Sequence, residues 1–244
     1  MDTAKQILEQ ALEAHGGAER WTKVQRLETT WSFHGMMFKL RLREGQLQKL
    51  KARIWTKKPY VEIDSYLSKG TTSSFTPTKV EIQNADGTAR SRENIRKTFG
   101  GLRTLLWWDD FEMLYFAGYV LWNYSQLPFL LTFPGIELGE CTPHQENGEE
   151  WTRLSVLFPA DLPAHSREQA FYFDKSGLLR RHDYYVAIMS PLARGARYIH
   201  SYTDVDGFKL PSRIEIKLRG AGKSYLQQPA LGCVDFDNMS IHTS

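Results

Sequence analysis

"WWDDFEMLYFAGYVLWNYSQLPFLLTFPGI" fills residues 107–136. After Glu112 it carries no charge until Glu137, and it holds three of the chain's seven tryptophans. At helical spacing, Phe111, Leu114, Tyr115, Gly118 and Trp122 mark one face, and Met113, Ala117, Val120, Tyr124 and Leu127 another. A helix that is apolar all round is buried on both sides or lies in lipid. A membrane span needs about 20 apolar residues. Here Asn123, Ser125, Gln126, Pro128, Thr132 and Pro134 interrupt the run, Pro128 ends the helix, and no cluster of basic residues flanks it. The stretch therefore predicts a helix that starts near Asp109 or Asp110, where acidic side chains suit the positive helix end. It is expected to sink into the mouth of a curved sheet, with no transmembrane segment in the chain.

The flanking sequence supplies that sheet. Before the run, Phe38, Leu40 and Leu42 alternate with Lys39, Arg41 and Arg43, and Leu50, Ala52 and Ile54 alternate with Lys49, Lys51 and Arg53. With a turn at Glu44-Gly45-Gln46, this reads as a hairpin with one apolar and one basic face. Strands are also predicted after Pro59 and over 79–84. Ser91 is read as the N-cap of a short helix stopped by Gly100-Gly101. After the run, strands return at 150–158. Hairpins follow at 169–174 with 178–187, and at 197–205 with 208–219 through Asp206-Gly207. A closing strand covers 234–241. This alternation describes antiparallel strands with one buried face. A sheet of about ten of them must curl or close. The expected class is mainly β with helices (α+β): a curved antiparallel sheet forming an incomplete barrel, its concave face covered by helices. One domain is read over 1–244, with an N-terminal helix at 3–15 and a helical insert at about 91–127.

Composition adds exclusions. The 244 residues suffice for a substantial core. Thirty-one basic against 28 acidic residues leave +3, so no strong field for a polyanion is implied. No nucleic-acid motif is present. Two cysteines, Cys141 and Cys233, make no disulfide framework. In residues 1–21, Asp2, Lys5, Glu9 and Glu13 break up any signal-like apolar run, while Ala4, Ile7, Leu8, Ala11 and Leu12 recur at helical spacing. A cytoplasmic protein is expected.

"EAHGGAERWTKVQRLETT", "FYFDKSGLLRRHDY" and "YTDVDGFKLPSRIEI" together resemble the LolA/LolB-like superfamily of bacterial lipid and lipoprotein carriers. The resemblance covers most of the chain and implies an incomplete antiparallel barrel able to hold acyl chains or other apolar molecules. The superfamily also includes VioE, an enzyme of pigment biosynthesis, which extends the implied roles to secondary metabolism. No lipobox is present here.

Two uses are open for Trp107, Trp108, Tyr115, Tyr119, Trp122 and Tyr124: core packing, or lining a ligand. Buried Tyr and Trp need partners for their OH and NH groups, whereas a purely structural core favours Leu and Ile. These six are the candidate ligand-binding residues. His182, His200, Tyr202 and Asp110 are the candidate catalytic ones. His182 is a possible base, His200 and Tyr202 share a predicted strand face, and Asp110 sits beside Asp109 as a possible acid/base pair. His182 and Asp183 point to opposite faces of a strand and are not expected to pair. "RGAGKS" at 219–224 lacks the first glycine of a phosphate loop. The histidines have no metal spacing, so no metal and no cofactor are expected. The partner is expected to be a hydrophobic or aromatic small molecule or a lipid. It is taken up by a carrier, or by a cyclase- or isomerase-like enzyme that orients it in the same cavity.

Overall fold

The computed structural model describes residues 3–99, 101–188, 193–219 and 230–244. Its strands form two antiparallel meanders. The first is β1 (Val24–His34), β2 (Leu50–Trp55), β3 (Tyr60–Asp64), β4 (Thr72–Phe75), β5 (Lys79–Gln83) and β6 (Ala89–Glu93). The second is β7 (Glu137–Glu146), β8 (Glu149–Leu157), β9 (Glu168–Phe173), β10 (Leu179–Tyr185), β11 (Arg194–Val205), β12 (Phe208–Arg219) and β13 (Gly232–Thr243). Pairing of β1 with β13 fuses them into one open 13-stranded sheet that ends in β6 at one edge and β7 at the other. The helices are α1 (Thr3–Ala14), α2 (Ala18–Thr22), α3 (Met36–Lys39), α4 (Leu102–Leu106) and α5 (Asp110–Tyr124).

Consecutive strands are neighbours throughout each meander, and the chain travels from edge β6 to edge β7 through residues 94–136, which contain α5. A twisted antiparallel sheet of this many strands does not stay flat. The sheet curls, and α5 lies on its apolar face. There it packs along β2 to β5, and its last turn reaches His165 and Tyr184. Every residue from Glu112 to Tyr124 is buried. Fifteen residues are too few for a bilayer, and among the described residues no helix is long and apolar enough to cross one.

Polar groups gather at the start of α5. Asp109 is the N-cap and forms a capping box with Glu112. Arg92 pairs with Asp109 at 2.5 Å and Arg43 with Asp110 at 2.9 Å. The fully buried Glu112 carboxylate is satisfied by Arg103, the Thr98 hydroxyl and the Asp109 amide. These contacts fix where the helix enters the sheet. Further along, Gly118 allows close approach: a Cβ there would stand 2.3 Å from Cγ of Phe75 on β4.

Several local expectations are corrected. Residues 38–43 are not a strand. The chain leaves β1 into α3, which buries Met37 and Phe38, and then exposes Leu40 and Leu42. Arg41, read as facing outward, is buried with its guanidinium 4.4 Å from the Trp108 ring and donates to the Met37 carbonyl. The true partner of β2 is β1, with Trp31 opposite Leu50. Ser91 caps no helix. It lies in β6 opposite Glu81, because ladder pairing there outweighs a local cap. Asn94, in the left-handed region at φ 53°, instead opens a 3-10 turn over Ile95–Thr98. The strands β1, β4, β6 and β7 were not foreseen. The β11–β12 hairpin turns at Asp206-Gly207 as expected, both with positive φ. Cys141 and Cys233 stand on strands β7 and β13, which are not neighbours, and form no bridge. Residues 220–224 of "RGAGKS" lie outside the described residues.

A branched side chain at Gly118 cannot fit without moving Phe75. Gly118→Val is expected to destabilise the protein by about 2 kcal/mol through overpacking, despite its better helix propensity. The shift in the urea midpoint at constant slope measures it.

Candidate functional site

The concave face of β9, β10 and β11 carries a row of polar groups that lies under the end of α5. His182 on β10 stands opposite Phe171 on β9 and Arg197 on β11, and Arg197 opposite Ile216 on β12. Strand alternation puts Tyr184 on the same side as His182, and Asp183 on the other. From above come Tyr119 and Tyr124 of α5, and from the 158–167 segment comes His165.

These groups form a buried chain. Tyr119 Oη lies 3.0 Å from His165 Nδ1, His165 Nε2 lies 2.7 Å from Tyr124 Oη, and Tyr124 Oη lies 2.8 Å from Tyr184 Oη. The His165 ring stacks on Tyr184 with centroids 3.9 Å apart. Beside the chain, the Arg197 guanidinium lies 4.0 Å from the centre of the Tyr124 ring. None of its three nitrogens has an acceptor. His182 Nε2 is 2.5 Å from Gln169 Oε1. The Gln169 amide donates to Ser166 O, which orients Oε1 toward the imidazole. His182 Nε2 then carries the proton, and Nδ1 is left a buried acceptor with no partner.

Burial dominates the electrostatics. It holds His165 and His182 well below the usual histidine value, and the Arg197 charge pushes both further down. It raises the phenols of Tyr119, Tyr124 and Tyr184, with Tyr124 reaching about 12, where the Arg197 charge works against the rise. The site at neutral pH thus contains neutral imidazoles, neutral phenols and one buried guanidinium.

A cavity of about 10 Å³ adjoins this chain, roughly the smallest space that holds a water. Tyr124, His165 and Tyr184 form its polar wall, and Phe33, Met37, Phe116, Ile216 and Leu231 belong to its apolar side. A larger, open depression of about 550 Å³ lies on the other face of the sheet, around Arg153, Tyr172, Asp183 and Arg194. There Asp183 pairs with Arg181 and Tyr172, away from His182.

The structure separates most of the residues singled out in the sequence. Of the six aromatic candidates, only Tyr124 lines the cavity, and Tyr119 reaches it through His165. Trp108 is wholly buried and donates to Thr104 O, and Trp122 donates to Trp55 O. Tyr115 packs edge-on against Phe75. Trp107 is 44% exposed, near Arg43 and Arg103. His182 belongs to the buried row, but His200 does not join it. Arg197 is the residue opposite His182, so strand alternation puts His200 on the other face, where it is exposed and pairs with Glu215 at 2.9 Å. Tyr202 stays half-buried against His15 and the Leu179 carbonyl. Asp110 is bound to Arg43 at the far end of α5. Sequence reading missed Arg197, His165 and Tyr184 as a group. Arg197 had a visible signal, since it shares a strand face with Gly195 and Ile199. His165 had none, because it sits in an irregular segment.

No family model matches the sequence, and no curated protein does. Solved structures do. A LolA superfamily protein from Nitrosomonas europaea aligns at TM-score 0.55 and 10% identity, over 99% of this chain and 94% of that one. A putative outer membrane lipoprotein-sorting protein domain from Vibrio parahaemolyticus aligns at 0.47 and 11%, over 99% and 94%. The lipoprotein LppX of Mycobacterium tuberculosis aligns at 0.26 and 11%, over 97% and 94%. The chain has the LolA-like fold. The expectation of a cytoplasmic protein is corrected: it finds no support among these neighbours, two of which are described as a lipoprotein and a putative outer membrane lipoprotein-sorting protein domain. That expectation rested on residues 1–21, of which the described ones, from Thr3 on, pack through α1 and α2 against the core and could do so on either side of a membrane.

The buried histidines set a pH dependence. Burial lowers His15 to about 4, and His165 and His182 lie well below 6.5. Below about pH 6.5 the unfolded chain binds protons that the folded protein refuses, so stability falls as pH falls. Each such histidine contributes up to about 1.4 kcal/mol per pH unit in that range. The His15 share is exhausted below about pH 4. Urea denaturation is expected to show a clearly lower midpoint at pH 5 than at pH 7.5.

Proposed function

We propose that this protein binds an apolar or aromatic small molecule, or a lipid, on the concave side of its half-barrel, as a carrier or binding protein. One observation carries the reading. The imperfectly packed place beneath α5 is a cavity with an apolar side and a hydroxyl- and imidazole-bearing wall, the composition of a small-molecule site. As it stands, the space fits about one water. Uptake of a ligand therefore requires the side chains around Met37, Tyr124 and Leu231 to yield. The LolA-like fold supports the same reading.

The Tyr119–His165–Tyr124–Tyr184 chain favours a second reading, a cyclase- or isomerase-like enzyme. Neutral phenols and a neutral imidazole beside the cavity can hold and pass a proton over a positioned substrate. Of the residues singled out in the sequence, Tyr119 and Tyr124 belong to this chain and would take part.

Native mass spectrometry of the protein from its own host, followed by denaturing extraction, tests both. A co-purifying lipid or aromatic metabolite is the expected result, and its conversion on incubation separates enzyme from carrier. A clean apo mass, with no thermal shift across a lipid and metabolite panel, overturns both. Ile216→Phe, which enlarges a cavity-lining side chain, is expected to reduce the amount of bound molecule severalfold while leaving the far-UV spectrum unchanged.

A further inference from the structure

Three arginines are buried among the described residues: Arg41, Arg181 and Arg197. Arg181 is neutralised, with Asp183 at 2.5 Å and Glu146 at 2.6 Å. Arg41 donates to the Met37 carbonyl. Arg197 is wholly buried and donates to nothing through Nε, Nη1 or Nη2. The titratable groups that face it are Tyr124, Tyr184 and Tyr202, all neutral phenols, and no carboxylate is among them.

A buried cation with five N–H donors and no acceptor is costly, by several kcal/mol. A structural role does not call for it. A hydrophobic side chain of similar volume would pack the same position without that cost, as the neighbouring Ile199 and Ile216 do. The guanidinium nevertheless lies beside the cavity. It rests on the ring of Tyr124, which lines the cavity, and stands directly across the β11–β12 ladder from Ile216, which also lines it.

We propose that Arg197 is the anion subsite of the half-barrel and that the bound molecule is an amphiphile with a carboxylate head. This rests on the reading that the concave face takes an apolar ligand, and it specifies that ligand. The apolar part lies among Phe33, Met37, Phe116 and Leu231, and the head reaches past Tyr124 to the guanidinium. Two carboxylate oxygens match the planar fork of N–H donors. Charge selects carboxylate over a phosphate monoester. The guanidinium is +1 and the surrounding imidazoles and phenols are neutral, so a monoanion leaves the buried site uncharged, whereas a dianion leaves a net negative charge. A neutral hydroxyl head can accept a hydrogen bond from Arg197 but leaves its charge uncompensated.

The test uses the full, delipidated chain and three probes with the same 16-carbon tail: hexadecanoic acid, hexadecan-1-ol and hexadecyl phosphate. Affinities are read by calorimetry or tryptophan fluorescence. Hexadecanoate is expected to bind about tenfold or more tighter than the alcohol. In Arg197→Met the two are expected to converge to within about twofold by loss of acid affinity, with alcohol affinity kept. Equal binding of acid and alcohol by the native protein overturns the anion subsite while leaving the apolar cavity standing. A preference for the acid that survives in Arg197→Met also overturns it. Tighter binding of hexadecyl phosphate overturns the assignment to carboxylate. If none of the three binds, the ligand reading fails and this inference with it. Should Arg197→Met not fold, the comparison of acid with alcohol on the native protein decides the question alone.

Discussion

One open sheet with its edges at β6 and β7 obliges the chain to cross from one to the other, and the crossing is made through α5. That constraint organises the molecule. A helix lying on the concave side of a curled sheet has no solvent side, so it cannot be amphipathic. Its residues from Glu112 to Tyr124 are buried without a break. Each large apolar side chain placed there contributes about 1.5–3 kcal/mol relative to exposure. The same geometry concentrates the ionic contacts at the helix entrance, where Arg43, Arg92 and Arg103 meet Asp110, Asp109 and Glu112. Apolar packing supplies depth, and the arginine contacts set position.

At the other end of α5 the helix meets groups it cannot bury cheaply. Its tyrosines bring hydroxyls into the core, and His165 and Tyr184 satisfy them. The unpaired Arg197 and His182 Nδ1 do not fit that economy. Of the other buried arginines, Arg181 is answered by Asp183 and Arg41 has at least the Met37 carbonyl. The exception coincides with the small cavity, and this coincidence makes the concave side beneath α5 the functional candidate rather than the larger, solvent-facing depression on the opposite face.

Local patterns read well where the residue and its strand neighbours agreed. The β9–β10 and β11–β12 hairpins were legible because their turns, Lys175-Ser176-Gly177 and Asp206-Gly207, leave no other way for alternating strands to close. The helix start at Asp109 was legible because capping is a property of four consecutive residues. Residues 38–43 misled because alternation over six residues is weak information. The packing of Met37 and Phe38 into the core chose a helical turn instead, and carried Arg41 inside with it. His200 misled because the register between β10 and β11, which puts Arg197 and not His200 opposite His182, joins segments that carry no local sign of it.

Sequence by itself determined that a helix starting near Asp109 or Asp110 has no wet side, although it ends at Tyr124 and not at Pro128, and that most of the rest is antiparallel strand with one buried face. Both are periodicities carried within a dozen residues. Tertiary structure alone decided which polar groups meet. Arg197, His165, Tyr124 and Tyr184 come from four separate stretches, brought together by strand register, by the long-range pairing of β1 with β13 that curls one meander toward the other, and by the path of α5 between the two edges. No local pattern encodes that meeting, because its geometry is a property of the whole curled sheet and not of any segment within it.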